Sequence, residues 1–124
     1  MSDENGQRGA GAHRQEASGE VDLLFDVLRE PCRRLVLTRL QRNGRVSVER
    51  IVNERRLRSG DRESVEIDLY HVHLPMLERE GLIEYDERSG EIVGRDWPAG
   101  LDRLLAAARE LEAGLFAERR DPVN

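Results

Sequence analysis

Hydrophobic residues recur every three or four positions over most of the chain, which is the spacing of helices that bury one face. This period predicts four successive helices, over about residues 21–28, 31–43, 48–56 and 62–80. Pro31 suits the first turn of the second helix, and Gly44 suits the left-handed stop that follows it. Ser47 has the side chain of an N-cap for the third helix, and Gly81 is expected to end the fourth.

The period changes after Gly81. Residues 82–86 and 91–93 predict two strands, and the polar residues 87–90 between them predict the turn of a β-hairpin. Residues 45–47 predict one further short strand, and Trp97-Pro98 opens a last helix. A helix-turn-helix followed by a hairpin is the plan of a winged helix-turn-helix protein, so we expect an α+β fold that is mostly α.

The chain is predicted to contain one folded domain and three flanking segments. Residues 1–20 are polar and glycine-rich with little to bury, which predicts a disordered N-terminal arm. Residues 21–96 form the predicted winged helix-turn-helix domain, residues 97–118 a C-terminal helix and residues 119–124 a short tail. A chain of 124 residues has room for one such domain but not for a large active-site cleft.

The C-terminal helix carries apolar residues at alternating spacings of three and four, which is typical of a helix that pairs with its twin. The predicted dimerisation positions are Leu101, Leu104, Leu105, Ala108, Leu111 and Leu115. We therefore expect a homodimer, whose two-fold axis would match paired half-sites on DNA. The alternative is a helix that folds back onto its own domain.

All 20 basic residues are arginines, and 25 acidic residues outnumber them, so the net charge is −5. Arginine in place of lysine, together with an acidic excess, favours a halophilic archaeon as the source, with a high-GC bacterium as the alternative. The net negative charge argues against non-specific affinity of the whole molecule for nucleic acid.

Three features of the sequence favour the cytoplasm. The single Cys32 cannot close a disulfide within the chain, which fits a reducing compartment. No apolar run approaches the roughly 20 residues of a membrane span. The opening residues contain no apolar stretch that could serve as a secretory signal. We expect a cytoplasmic protein that does not interact with membranes.

Charge is unevenly distributed along the domain. Residues 29–62 contain eleven arginines and four acidic residues, whereas residues 63–96 contain ten acidic residues and three arginines. The basic half would attract the phosphates of double-stranded DNA. The predicted phosphate contacts are Arg45, Arg50, Arg55, Arg56 and Arg58, with His71 and Arg88 as groove contacts. The alternative is that the basic face neutralises the acidic one, within a chain or across a dimer.

The fourth helix is apolar on two sides. The stripe assigned to the core contains Ile67, Tyr70, Leu74 and Leu77. The other stripe places Val65, Leu69 and Val72 near the surface that would read DNA. Such side chains favour contact with another protein, or van der Waals contact with thymine methyl groups. The second functional hypothesis is therefore a winged-helix protein-protein interaction module that does not bind DNA.

The sequence contains no constellation typical of catalysis. It has no glycine-rich phosphate loop and no carboxylate pair backed by a cleft, so we expect neither an enzyme nor a cofactor. His71 and His73 are two residues apart on a helix and point in different directions, whereas paired metal ligands are four apart, so we expect no metal. We expect His73 to be buried and hydrogen-bonded, and His71 to be exposed.

Two segments resemble prokaryotic regulators. Residues 24–37 resemble the first helices of small winged-helix regulators. Residues 69–86 resemble a family of uncharacterised winged-helix proteins from haloarchaea, in which a Tyr-His-x-His-Leu-Pro run ends the fourth helix and a glycine leads into the wing. In this chain the run occupies residues 70–75, with Val72 where the family has threonine. The resemblance implies a winged-helix fold and a role in transcriptional regulation.

Overall fold

The computed structural model describes the backbone of residues 19–59 and 61–120, and the side chains of these residues except at 59 and 115–120. The predicted arm therefore lies outside the described residues except at residues 19 and 20, which are helical rather than part of an arm. The predicted tail begins too early, because residues 119 and 120 belong to the last helix; residues 121–124 lie outside the description.

The described chain is mostly helical, with one small antiparallel sheet of three strands. The elements are α1 (residues 19–28), α2 (Pro31–Asn43), β1 (Arg45–Ser47), α3 (Val48–Ser59), α4 (Arg62–Asp68), α5 (Leu74–Arg79), β2 (Ile83–Asp86), β3 (Glu91–Gly94) and α6 (Ala99–Arg120). A π-helical turn, Leu69–His73, joins α4 to α5, and we call the continuous unit of residues 62–79 the composite helix. The predicted α+β, mostly α, class is confirmed.

The ends of the helices follow from local residue chemistry. Pro31 lies in the first turn of α2, where a backbone donor is not needed. Gly44 has a φ of 80°, and its N–H donates to the Leu40 carbonyl over 2.7 Å, which ends α2 as predicted. The Ser47 hydroxyl accepts the Arg50 N–H at 3.1 Å, which confirms the predicted N-cap of α3.

The predicted hairpin and the predicted short strand form one sheet in the order β1-β3-β2. Ile92 on the central strand pairs with Val46 of β1 and with Tyr85 of β2. The Val48 N–H donates to the Gly90 carbonyl over 2.8 Å, so the start of α3 is tied to the turn of the hairpin. The sheet therefore holds α3 and the hairpin turn in a fixed relation.

The core is aliphatic, as the low aromatic content predicts. Its largest fully buried side chains come from every described element except β1 and α4 and are Leu37, Ile51, Leu69, Leu74, Leu77, Ile83, Ile92, Leu101, Leu105, Val27, Val36 and Val52. Each such side chain contributes roughly 1.5–3 kcal/mol relative to an exposed position. Among the helices described, none is both long enough and apolar enough to cross a membrane.

The predicted core stripe of the composite helix is wrong in its first half. Ile67 is 52% exposed and Tyr70 is 40% exposed, whereas Val65 and Leu69 are buried. The cause is the π-helical turn, in which the Leu74 N–H donates to the Leu69 carbonyl five residues earlier. The wider turn shifts the phase of the helix, so a constant rotation of 100° per residue does not predict which side chains share a face on its two sides.

Pro75 explains why the π-helical turn lies where it does. Proline has no N–H to donate to the carbonyl four residues earlier, and its ring would collide with that carbonyl in a regular α-helix. Pro75 is exposed and sits in the first turn of α5, directly after the wide turn. A locally wider helix removes the collision without breaking the helix.

Helix α6 packs against its own domain over its first half, which corrects two predicted dimerisation positions. Leu101 and Leu105 are fully buried in the core of the chain, and Leu104 packs against that core. Ala108 is half-buried, and the Leu115 side chain lies outside the described residues. The spacing of three and four residues predicts an apolar face, which the structure has, but spacing does not tell whether that face meets its own chain or another.

Polar contacts also hold α6 against α2. Arg34 Nη2 donates to the Glu112 carboxylate over 3.0 Å, and Gln41 Nε2 donates to the Asp102 carboxylate over 3.1 Å. These two links lie at opposite ends of the contact between the helices. The fold-back alternative is therefore confirmed for residues 101–105, while Leu111 is 67% exposed.

Candidate nucleic-acid interface

The junction of α3 with the composite helix is held by side chains. Asp61 caps α4, because its carboxylate accepts the Ser64 N–H at 3.2 Å and the Ser64 hydroxyl at 2.9 Å. These hydrogen bonds lower the pKa of Asp61 below its usual value. Arg62 then donates to the Asn53 side-chain oxygen over 2.6 Å, which links the two helices directly. The angle between α3 and the composite helix is therefore fixed locally.

The exposed face of the composite helix is a mixture of apolar and acidic side chains. Ile67, Tyr70 and Val72 are each about half exposed, and His71 is exposed as predicted. Glu63 and Asp68 are exposed on the same helix. Such a face can make van der Waals contacts and accept hydrogen bonds, but it offers few donors to the acceptor-rich edges of guanine and adenine.

Two of the three predicted partner-binding residues do not lie on this face. Val65 and Leu69 are buried in the core, whereas Val72 is 49% exposed as expected. Val65 and Leu69 are buried for the same reason that the predicted core stripe is wrong. The π-helical turn separates Val72 in phase from the residues before it. The apolar side chains that the helix actually presents there are Ile67, Tyr70 and Val72.

The hairpin lies directly beside this face. The rings of Tyr70 and Tyr85 are 6.1 Å apart at an angle of 54°, a favourable tilted arrangement that joins the helix to β2. Burial, and after it the neighbouring Tyr70, raises the pKa of Tyr85 to about 12. At the tip, the Arg88 N–H donates to the Asp86 carboxylate over 3.0 Å, and the Arg88 side chain is exposed.

Three of the predicted arginines lie around the start of α3 and the hairpin. Arg45 on β1 forms an ion pair of 3.2 Å with Glu91 on β3, and Arg50 forms one of 3.1 Å with Glu54. Arg88 lies at the hairpin tip, which the Val48–Gly90 hydrogen bond brings to the start of α3. Arg45 and Arg50 are more than half exposed, so a phosphate could compete for both guanidiniums.

The other predicted arginines are on a different surface. Arg55 and Arg58 line a groove between α2, α3 and α6, and Arg56 is exposed without lining it. The last turn of α3 contains Arg56 and Arg58, where positive charge stabilises the helix C-terminus. The structure therefore divides the predicted DNA contacts into two groups rather than bringing them together.

Arg33, one of the eleven arginines in the basic half of the domain, is buried with 3% exposure. Its Nε donates to the Val27 carbonyl over 3.0 Å and its Nη2 to the Asp26 carbonyl over 2.7 Å. These carbonyls belong to the last turn of α1, so the guanidinium caps that helix and meets the negative end of its dipole. Arg34 adds a hydrogen bond of 2.6 Å to the Leu28 carbonyl.

His73 on the π-helical turn is buried and hydrogen-bonded, as predicted, and its partner is Arg33. Arg33 Nη1 is 3.2 Å from His73 Nδ1. A guanidinium can only donate, so Nδ1 accepts and the ring is neutral with its proton on Nε2. Burial, and after it the positive charge of Arg33, lowers the pKa of His73 below its usual value. The arginine thereby connects α1 with the composite helix.

The described side chains show no sign of nucleophilic chemistry at Cys32. The thiol is buried, and burial raises the pKa of Cys32 to about 11, so the thiol stays protonated at neutral pH. Within the described residues, no group of three or more histidine, cysteine or acidic side chains is placed to hold a metal ion. The described surface presents exposed guanidiniums, the His71 imidazole and half-exposed apolar side chains.

The chain matches one family model, described as "Domain of unknown function (DUF7344)", over residues 25–93. This match spans more than half of the chain. The chain belongs to that family. The matched region of this DUF7344 protein begins in α1 and ends in β3, so it includes the composite helix and the hairpin. The family description gives neither a fold nor a source, so the winged-helix and haloarchaeal parts of the resemblance stay predictions.

No curated protein and no solved structure matches the chain.

Proposed function

We propose that this DUF7344 protein is a winged helix-turn-helix transcriptional regulator that binds double-stranded DNA. One observation carries the proposal. Strand β1 lies in sequence between α2 and α3 yet pairs with β3 of the hairpin, which produces the sheet order β1-β3-β2 beside α3 and the composite helix. A helix-turn-helix flanked by such a sheet presents its second helix to the major groove and the hairpin to the neighbouring backbone.

The proposed contacts divide into base-reading and phosphate-binding residues. His71, Ile67 and Val72 on the composite helix would meet base edges, the apolar pair through thymine methyl groups. Arg45 and Arg50 would bind phosphates, and Arg88 at the hairpin tip would enter the minor groove. Arg55 and Arg58 belong to the groove beside α6 and are omitted from the proposed contacts.

The ion pairs predict a weak dependence on salt. Phosphates would have to replace Glu91 at Arg45 and Glu54 at Arg50, and the acidic side chains Glu63 and Asp68 lie on the base-reading helix. With two phosphate contacts, the logarithm of the binding constant should fall with the logarithm of salt concentration with a slope of roughly −1.8. At molar salt, where charges are screened beyond about 3 Å, the repulsion from the acidic face is also reduced.

Selection of fragmented genomic DNA by the purified protein, over a series of KCl concentrations, tests the proposal. We expect an enriched sequence motif with wild type and its loss in a His71→Ala/Arg88→Ala double variant. Arg103→Gln, an exposed arginine change on α6, serves as the control and should enrich the same motif. No enrichment with wild type at any salt concentration would eliminate the DNA-binding proposal.

A second candidate function is a protein-protein interaction module. The observation that favours it is the cluster of half-exposed Ile67, Tyr70 and Val72 among acidic side chains, a surface that repels phosphates and suits a basic apolar partner. An Ile67→Ala/Val72→Ala variant should lose an identified protein partner under this hypothesis. Retention of that partner by the variant, or a DNA motif selected by wild type, would favour the first candidate.

We also propose a homodimer, whose contact surface differs from the one that the sequence predicts. Leu101 and Leu105 are used within the chain, so the described apolar side chains available on α1 and α6 are Val21, Phe25 and Leu111. Gly100 of α6 lies against Leu24 of α1, which places the start of α6 beside α1. Light scattering should show a dimer that Leu111→Glu and Phe25→Glu weaken. A monomeric wild type at high protein concentration would overturn this part.

A further inference from the structure

A groove of about 1020 Å³ runs between α2, α3 and α6, and none of the residues proposed to contact DNA lines it. Its apolar lining includes Leu35 of α2 and Ala106 of α6, and Thr38 adds a hydroxyl group. This volume is that of a pocket for a small organic molecule, and a few polar groups on an apolar lining are typical of such pockets.

The groove is rich in arginine. Five arginines line it, two from α2 (Arg34 and Arg39), two from α3 (Arg55 and Arg58) and Arg109 from α6. Arg39 is committed to Glu54, with Nε donating over 2.9 Å, and Arg34 is committed to Glu112. Among the described residues, Arg55, Arg58 and Arg109 have no hydrogen-bonded acceptor or ion-pair partner.

A second observation concerns Arg34. Its Nε is buried and has no hydrogen-bond partner among the described residues, although both of its terminal nitrogens do. A buried guanidinium N–H without an acceptor is costly, roughly 1–3 kcal/mol for an ordinary polar group and more for a charged one. Among the described residues, three guanidiniums that line the groove have no partner, and Arg34, which also lines it, has one buried N–H without an acceptor.

We propose that this groove binds a small organic anion, with a carboxylate or phosphate head group held by Arg55, Arg58 and Arg109 and an apolar body against Leu35 and Ala106. Arginine forms charge-assisted, often bidentate, hydrogen bonds with both kinds of head group, and three such side chains from two helices converge on the groove. The proposal does not depend on DNA binding.

The bound anion would bridge two helices that the groove separates. Arg55 and Arg58 lie on α3, which carries the start of the proposed DNA surface, and Arg109 lies on the half of α6 beyond the buried Leu105. An anion held by arginines of both helices would slow the local opening of the half of α6 that contains Arg109. Ligand binding is therefore expected to protect α6 amides from hydrogen exchange.

Calorimetry on the full-length protein tests the site, with three probes at constant ionic strength set by sodium chloride: inorganic phosphate, benzoate and phenyl phosphate. Phenyl phosphate should bind most tightly, because it combines the head group with an apolar body. An Arg55→Gln/Arg109→Gln variant should bind at least about tenfold more weakly, since two charge-assisted hydrogen bonds are lost. A preference for benzoate over phenyl phosphate would identify a carboxylate ligand, and the reverse a phosphate ligand, since both probes carry the same apolar ring.

Matched controls keep the result interpretable. Arg56→Gln on α3 and Arg103→Gln on α6 remove the same charge from exposed positions that do not line the groove, and both should bind like wild type. Arg58→Gln provides a second groove variant. Hydrogen exchange with phenyl phosphate should slow in residues 54–58 and 106–113.

Three results would overturn the proposal. These are no binding of any probe, equal weakening by the control variants, or a DNA duplex that requires Arg55 and Arg109 while no small anion does.

Discussion

Two arginine-containing regions of the chain use the same side chain in opposite ways. At the corner between α1 and α2, Arg33 is 3% exposed and Arg34 is mostly buried, and both donate to the carbonyls that end α1. At the end of α3, Arg56 is exposed, and among the described residues it has no hydrogen-bonded partner. The difference lies in what each arginine faces, since both regions look equally basic in the sequence.

The comparison shows why a count of charges misjudges this molecule. The buried pair at the corner donates to helix carbonyls and a histidine, so neither guanidinium is available to contact a phosphate at the surface. A guanidinium that is hydrogen-bonded inside the chain contributes to folding, whereas one left in water is free to contact a ligand. Fewer arginines of the basic half are therefore available to a ligand than the eleven that the sequence contains there.

The largest expected effect is at Arg33. An Arg33→Ala change removes hydrogen bonds to two carbonyls and to His73 and leaves a cavity, so we expect the free energy of unfolding to fall by about 3 kcal/mol. Arg56→Ala should change it by less than about 0.5 kcal/mol. Urea denaturation of the two variants measures both values. Similar losses of unfolding free energy in the two variants would contradict the difference between the two regions.

Arg34 should have a smaller effect, because its side chain is 18% exposed and one of its partners lies at the surface. Arg34→Ala loses the hydrogen bond to Leu28 and the contact with Glu112, and about 1.5 kcal/mol of destabilisation is expected. Glu112→Gln removes only the link to α6 and should cost no more than about 0.5 kcal/mol. If the two variants unfold at the same urea concentration, the capping role of Arg34 is wrong.

The ion pair between Arg39 and Glu54 joins the two regions, since it links α2 to α3. Both side chains are partly exposed, so a double-mutant cycle with Arg39→Ala and Glu54→Ala should give a coupling of only about 1 kcal/mol.

The hydrogen bond from Arg39 lowers the pKa of Glu54. The pair's contribution is therefore present above the unfolded pKa of Glu54 and is lost as the pH falls through the folded value. The free energy of unfolding should be measured against pH for wild type and for Glu54→Gln. The same slope in both proteins would contradict this contribution of the ion pair.

The smallest expected effect is a pH dependence at His73. Its folded pKa is lowered, so below the ordinary histidine pKa of 6.5 the unfolded chain takes up a proton that the folded chain does not. Stability should fall as the pH falls through that value, by less than the roughly 1.4 kcal/mol per pH unit of a full proton difference. His73→Gln should flatten this part of the curve measured by urea denaturation, while a His71→Gln control should not.

Local sequence signals predicted the elements well. Pro31, Gly44 and Ser47 act through their own backbone and side-chain chemistry, so their effects do not depend on distant residues. The hairpin was predicted for the same reason, since alternation and a polar turn are local properties. Of the predicted site, the exposure of His71, Val72 and Arg88 is also confirmed.

The failures have two causes, one in the composite helix and one in the packing of α1 beside α2. The phase of the composite helix changes at a π-helical turn, so Val65 and Leu69 became core residues while Ile67 and Tyr70 became surface residues. Pro75 was the available signal for that change, but its position alone does not specify how the helix accommodates it. The burial of Arg33 had no sequence signal, because it requires the end of α1 to lie beside α2.

The sequence by itself determined the order of the helices and strands and most of their caps, because proline, glycine, capping side chains and hydrophobic period act within a few residues. Only the tertiary structure decided which apolar face meets the core and which arginines are hydrogen-bonded to carbonyls and carboxylates. It also decided that α6 packs against its own domain. These outcomes depend on free energies of burial between segments far apart in the chain, and a buried guanidinium is tolerated only where such segments supply its acceptors.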